Sequence, residues 1–63
     1  MFRAGDIVIH KIFDEDYKIE VVDGKPFDED CFCGKRISQK FNFYTLGAIY
    51  DDFIIENHKL VNQ

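Results

Sequence analysis

A strand that is apolar on both of its faces has to be covered on both, and the segment that follows Gly5-Asp6 reads as such a strand. In the run Phe2-Arg3-Ala4-Gly5-Asp6-Ile7-Val8-Ile9-His10-Lys11-Ile12-Phe13 a Gly-Asp turn launches strict alternation. Ile7, Ile9, Lys11 and Phe13 fall on one side and Val8, His10 and Ile12 on the other, the two-residue period of an extended chain. A free edge strand would carry more charge, so this one belongs in the middle of a small barrel or under a loop. The rest of the chain has to supply the cover.

Length limits what that cover can be. Sixty-three residues make one domain, and a domain this small buries a smaller share of its surface than a larger one. Seven Phe and three Tyr offset the shortness, because each buried ring withdraws roughly 150–250 Å² from water. The net charge of −4 argues against a general binder of phosphate backbones, which carries a basic footprint. No apolar run is long enough to cross a bilayer, and no basic segment followed by an apolar one opens the chain. A soluble, cytoplasmic protein is expected. Cys31 and Cys33 share a strand face, and bridging them would close a strained ring, so free thiols are expected.

Along the chain, Asp14-Glu15-Asp16 reads as a charged turn. Tyr17-Lys18-Ile19-Glu20-Val21-Val22 is the cleanest amphipathic strand, with Tyr17, Ile19 and Val21 on one side. Asp23-Gly24-Lys25 supplies a turn, Pro26 removes a ladder donor, and Phe27-Asp28-Glu29-Asp30 reads as an exposed loop anchored by one ring. A third strand runs from Cys31 to Ile37, with Gly34 marking a bulge or bend. Ser38-Gln39-Lys40 makes a turn before a fourth strand, Phe41 to Leu46. Asp51-Asp52 could open a short helical turn, and Ile54 to Val61 holds the closing strand, with a break at Asn57.

Short strands separated by turn signals predict an all-β fold, a single small SH3-like barrel of about five strands over residues 1–63. The alternative is a β-rich α+β domain with one short helix near residues 46–57. The predicted core is Ile7, Ile9, Ile19, Val21, Phe32, Ile37, Phe43, Leu46, Phe53, Ile55 and Leu60.

The pattern Phe2-x-x-Gly5-Asp6-x-Val8-x-His10-Lys11-x-Phe13, followed by a turn and Val21-Val22, resembles the opening of bacterial and phage Tudor/SH3-like modules. Such modules include the C-terminal domain of superfamily 1 repair helicases and the RNA-polymerase-binding domain of CarD-type regulators. The resemblance covers roughly the first third of the chain. It implies the barrel fold and a protein-binding role near the transcription machinery, and it implies no site.

Four chemistries compete for the remaining residues. Cys31, Cys33, His10 and His58 are the ligand types of a structural Zn²⁺ site, although Cys-x-Cys on a strand is not the usual knuckle and half-buried thiols would serve packing alone. Asp14-Glu15-Asp16, Asp28-Glu29-Asp30 and Asp51-Asp52 could gather around a cation if the loops meet. They lack the spacing of an EF-hand, so solvated turns explain them better. Lys35, Arg36 and Lys40 form the basic cluster, and with Phe41, Phe43 and Tyr44 close behind they could hold single-stranded nucleic acid by base stacking. Catalysis has the least support. Ser38 has no triad pattern, there is no phosphate-cradling loop, and either thiol would need a histidine partner.

The preferred expectation is a non-enzymatic protein-binding module, with no cofactor. Its contact surface would comprise Tyr17, Phe27, Tyr44 and Tyr50, aromatic content beyond what a barrel of this size buries. The same surface could form a homodimer, and the acidic loops favour a basic partner.

Overall fold

The computed structural model of the protein describes residues 2–12, 14–39 and 46–61. Its described elements are strands β1 (Ile7–His10), β2 (Asp14–Val21), β3 (Cys31–Gln39) and β4 (Ile49–Ile54), a 3₁₀ turn (Ile55–Asn57) and strand β5 (His58–Leu60). All pairings are antiparallel, and the sheet order β4-β3-β2-β1-β5 folds into a body of 27 × 26 × 18 Å. This is a five-stranded, barrel-like all-β domain, as the turn spacing predicts. The helical alternative fails over its described part, where β4 and the 3₁₀ turn fill residues 49–57.

The Gly5-Asp6 launch is a β-turn. Asp6 N–H donates to Arg3 O at 2.9 Å, and Gly5, with φ +95°, takes the third turn position, where a positive φ calls for glycine. The Asp6 carboxylate closes the turn by accepting the Arg3 N–H at 2.8 Å. β1 then runs between β2 and β5, the central place expected of it.

The phase of β1, however, is the reverse of the predicted one. Val8 is fully buried in the core cluster, whereas Ile7 is only half-buried and Ile9, though buried, lies outside that cluster. Val8 stands directly opposite Ile19 on β2 and Leu60 on β5, so the three share the inner face. With apolar residues on both faces, the alternation alone leaves a one-residue ambiguity that flips every side chain.

The charged turn predicted at Asp14-Glu15-Asp16 is likewise displaced. The chain reverses at Lys11-Ile12, His10 pairs with Asp14, and all three acids lie in β2.

The core is Val8, Ile19, Val21, Phe32 and Phe53, with Phe2, Tyr50, Ile55 and Leu60 packed against it. Phe32 stands opposite Phe53, and their rings lie 5.5 Å apart. The bulge expected at Gly34 is present beside it, but the extra residue belongs to β4. Asp51 and Asp52 together face Cys33 alone, so Tyr50 and Phe53, three residues apart, reach the same side with ring centroids 5.8 Å apart.

Because β3 keeps its own alternation through this point, Phe32, Gly34 and Arg36 are its buried inner positions. Ile37, predicted as core, is turned outward and 39% exposed. Leu46, also predicted as core, sits in the turn before β4 and is exposed. Phe43 and most of the predicted fourth strand, residues 41–45, lie outside the described residues.

Glycine at position 34 is required sterically. A Cβ there would overlap Ile19 Cγ2 and press on Phe53 and Phe32 at 3.2 and 3.3 Å. Gly47 instead occupies open space but holds a φ of +82°. Gly34→Ala is therefore expected to lower unfolding free energy by about 3 kcal/mol, the upper end of overpacking costs. Gly47→Ala should cost about 1–2 kcal/mol through backbone strain alone. Urea denaturation of the two variants measures the difference, and equal losses would contradict the steric reading of Gly34.

Candidate functional site

Two groups of side chains carry chemistry, and they adjoin at β4, where Asp52 and Ile54 line the cleft of the first. The first is the inner cluster around Arg36. Tyr17 shares the buried face of β2 with Ile19 and Val21, and it is 5% exposed, so it does not belong to a contact surface. Arg36 is 3% exposed, with its guanidinium 4.5 Å from the centre of the Tyr17 ring and 5.8 Å from that of Phe53. A cation held against aromatic rings away from water is a strong packing unit, and its burial accounts for this arginine as part of the core. The predicted basic cluster thus loses its central member. Lys35 is half-buried and pairs with Glu20 at 3.9 Å, while Lys40, Phe41 and Tyr44 lie outside the described residues.

His10 and His58 complete this cluster as cross-strand partners on β1 and β5, with rings 5.1 Å apart and edge to face. His58 also packs edge-on against Phe32 and Phe53 at 5.2 and 5.8 Å. Its Nδ1–H donates to Ile54 O at 2.7 Å, and His10 Nδ1 accepts the Ile12 N–H at 3.1 Å. Burial lowers both imidazole pKa values, and the Arg36 charge lowers them further; His10 and Lys11 also push His58 down, against the Ile54 carbonyl, which raises it. The cluster lines a cleft of ≈ 200 Å³ with Asp52 and Asn57 at its mouth.

The cysteines face the other way. Cys31 and Cys33 are buried free thiols on the side of β3 away from the histidines. Burial raises the Cys31 pKa, and the side-chain hydrogen bond and charge of Asp28 with the charge of Asp52 add to the effect against the Asp28 backbone hydrogen bond, which lowers it; the net rise disfavours the reactive thiolate. The Cys31, Cys33, His10 and His58 set is therefore not assembled. Among the described residues no group of three or more His, Cys, Asp or Glu side chains converges as metal ligands would.

The second group lies on the surface of the β2–β3 loop. Asp28 shapes the loop by accepting the Asp30 N–H at its side chain, 2.9 Å, and the Cys31 N–H at its carbonyl, 3.1 Å. Two further bonds lace the loop to β4 and the 3₁₀ turn, Phe27 N–H to Asp51 O at 2.7 Å and Ile55 N–H to Asp30 O at 2.9 Å.

The acidic runs of the loop and of β4 are thereby brought together, with Asp28, Glu29, Asp30, Asp51, Asp52 and Glu56 all exposed. The same segments carry two exposed apolar side chains, Phe27 at 73% and Ile54 at 40%. Of the predicted contact residues, Phe27 is on this surface, Tyr50 is half-buried against Phe53, and Tyr44 is outside the described residues.

No family model, curated protein or solved structure matches the chain. The surface has to be read from its own chemistry. Sequence reasoning missed Ile54 because it treated residues 54–61 as one closing strand, whereas β4 ends there and presents it at the rim. The break at Asn57 was legible, and it corresponds to the end of the 3₁₀ turn. For membrane association, no helix among the described residues is long and apolar enough to cross a bilayer.

The inner cluster yields two expected outcomes. Arg36→Lys should cost about 2 kcal/mol in urea denaturation, because a lysine point charge does not reproduce the stacked guanidinium. The lowered histidine pKa values make stability pH-dependent. The unfolded chain takes up protons near pH 6.5 while the fold resists them, so this contribution is complete above about pH 6.5 and is lost as pH falls through the folded values. Urea midpoints measured from about pH 7.5 down to 5.5 should fall, and fall less in His58→Phe, which keeps the ring but does not titrate.

Proposed function

We propose that the protein is a non-enzymatic protein-binding module whose contact surface is the laced β2–β3 loop with the end of β4. The observation that carries this reading is Phe27, an aromatic ring three-quarters in water on backbone that is hydrogen-bonded to β4. A ring held on fixed backbone loses little further freedom on binding, so more of its apolar contact appears as affinity. Ile54 extends the apolar centre, and the surrounding carboxylates form a polar rim, the arrangement common to protein contacts.

The exposed acidic side chains of the loop, β4 and the 3₁₀ turn, on a chain with net charge −4, favour a basic partner and disfavour nucleic acid. The cytosol suits the pair of free thiols, since reducing compartments preserve them. The opening that resembles Tudor/SH3-like modules is in keeping with this role and with a partner in the transcription machinery.

Phe27→Ala is expected to weaken capture of the cellular partner by about tenfold or more, as truncation of a central anchor does. Its urea midpoint should not change, because the ring is exposed. Raising salt from roughly 50 to 500 mM should weaken the association as well. Undiminished capture by Phe27→Ala would remove the proposal.

A further inference from the structure

An apolar cleft of ≈ 270 Å³ opens beside this surface, under the start of the same loop. Its floor is Val21, Cys31, Phe32 and Cys33, all buried core or near-core residues. Its walls are Phe2 from the N-terminal segment, Val22, Asp23, Gly24 and Pro26 from the loop, and Ile55 from the 3₁₀ turn. Ile55 also borders a second depression, of ≈ 370 Å³, whose other lining residues are Glu29, Asp30, Ile54 and Glu56. One isoleucine thus separates an apolar hollow from a carboxylate-lined one.

We propose that this pair of hollows binds a peptide segment of the partner, an apolar side chain entering the cleft and an adjacent lysine or arginine lying across Ile54 and Ile55 toward Glu29, Asp30 and Glu56. The inference rests on the protein-binding reading and adds the chemistry of what is bound.

Size supports a side chain as the occupant, since small-molecule sites span about 300–1,000 Å³ and enclose their ligands. Charge supports the basic neighbour. The second depression presents three exposed carboxylates over two isoleucines, and a lysine or arginine can lay its alkyl stem on such a floor while its head meets the acids. Polarity follows from the uneven placing of the acids, since the cleft has one carboxylate in its lining, Asp23, and the second depression has three, Glu29, Asp30 and Glu56. The basic residue of the partner therefore belongs on the Ile55 side. A second copy of this chain would bring six more carboxylates against these, so self-association is disfavoured.

The test uses labelled full-length protein and a capped peptide in which one leucine is flanked by lysines in a glycine-serine background, titrated at low salt to millimolar concentration. The amides of Val22, Gly24, Cys33 and Ile55 should shift. Replacing the leucine by serine, or the lysines by glutamates, should weaken binding by about tenfold each. Glu29→Lys with Glu56→Lys, both exposed and harmless to the fold, should abolish the dependence on lysine. Val22→Phe should fill the cleft and abolish the dependence on leucine.

Equal shifts with all three peptides, shifts that follow protein concentration alone, or none at millimolar peptide would overturn the inference. If the peptide fails while Phe27→Ala still weakens partner capture, the pocket assignment falls and the contact surface stands. If Phe27→Ala also leaves capture intact, both fall.

Discussion

The fold depends on the close approach of β2 and β4 over the missing side chain of Gly34. Ile19, which is fully buried, and Phe53 meet above that glycine, and Phe32 borders the same space. Burying Ile19 and Val8 completely is worth roughly 1.5–3 kcal/mol each. That gain requires the strands on either side to sit no farther apart than a glycine allows. From this contact the remaining core positions follow. Val8 is fixed opposite Ile19, Leu60 opposite Val8, and Phe53 opposite Phe32.

The same contact decides what β4 can do. For Phe53 to face Phe32 and for Tyr50 to reach the same side, β4 must absorb one extra residue, and Asp51-Asp52 opposite Cys33 is where it does. Two aspartates are well suited to that place, because a bulge leaves side chains in water and frees a carbonyl from the ladder. The Asp51 carbonyl accepts the Phe27 N–H. A core constraint on one face of the sheet thereby supplies the anchor for the β2–β3 loop on its edge, and it ties the acidic run of β4 to that of the loop.

Much of this architecture is written in the chain, and the exceptions share one cause. Turn chemistry at Gly5-Asp6, the amphipathic β2, the Cys31 strand and the break at Asn57 are local signals, and each leads to the observed element. Phase is a tertiary property wherever both faces of a strand are apolar or where a bulge is free to fall on either partner. Val8 rather than Ile7 and Ile9 faces the core because of Ile19 and Leu60, which no reading of β1 alone can see. Ile37 is outward as the extra residue of a bulge where Lys18 and Ile19 pair with Ser38 and Arg36, while the extra residue beside Gly34 lies on β4 and leaves Arg36 inward. A basic residue at an inner position reads as surface in any sequence argument, and it becomes core only when Tyr17 and Phe53 enclose it.

The inward turn of Arg36 also bears on which surface remains for recognition. With that guanidinium withdrawn among rings and Lys35 paired to Glu20, little exposed positive charge remains on β3 to attract a polyanion. The carboxylates of the loop, β4 and the 3₁₀ turn, by contrast, all stay in water. A small acidic barrel built this way uses Arg36 and most of its described aromatic rings for cohesion and leaves its acids in water beside a few exposed apolar side chains. On the proposed reading, long-range attraction from such a surface favours basic partners at encounter, while affinity has to come from an apolar centre, because rim charges are screened by salt and contribute little once contact is made. In the proposed contact surface Phe27, Ile54 and the cleft beside them are that centre, and the choice of partner falls to their geometry rather than to the number of acids around them.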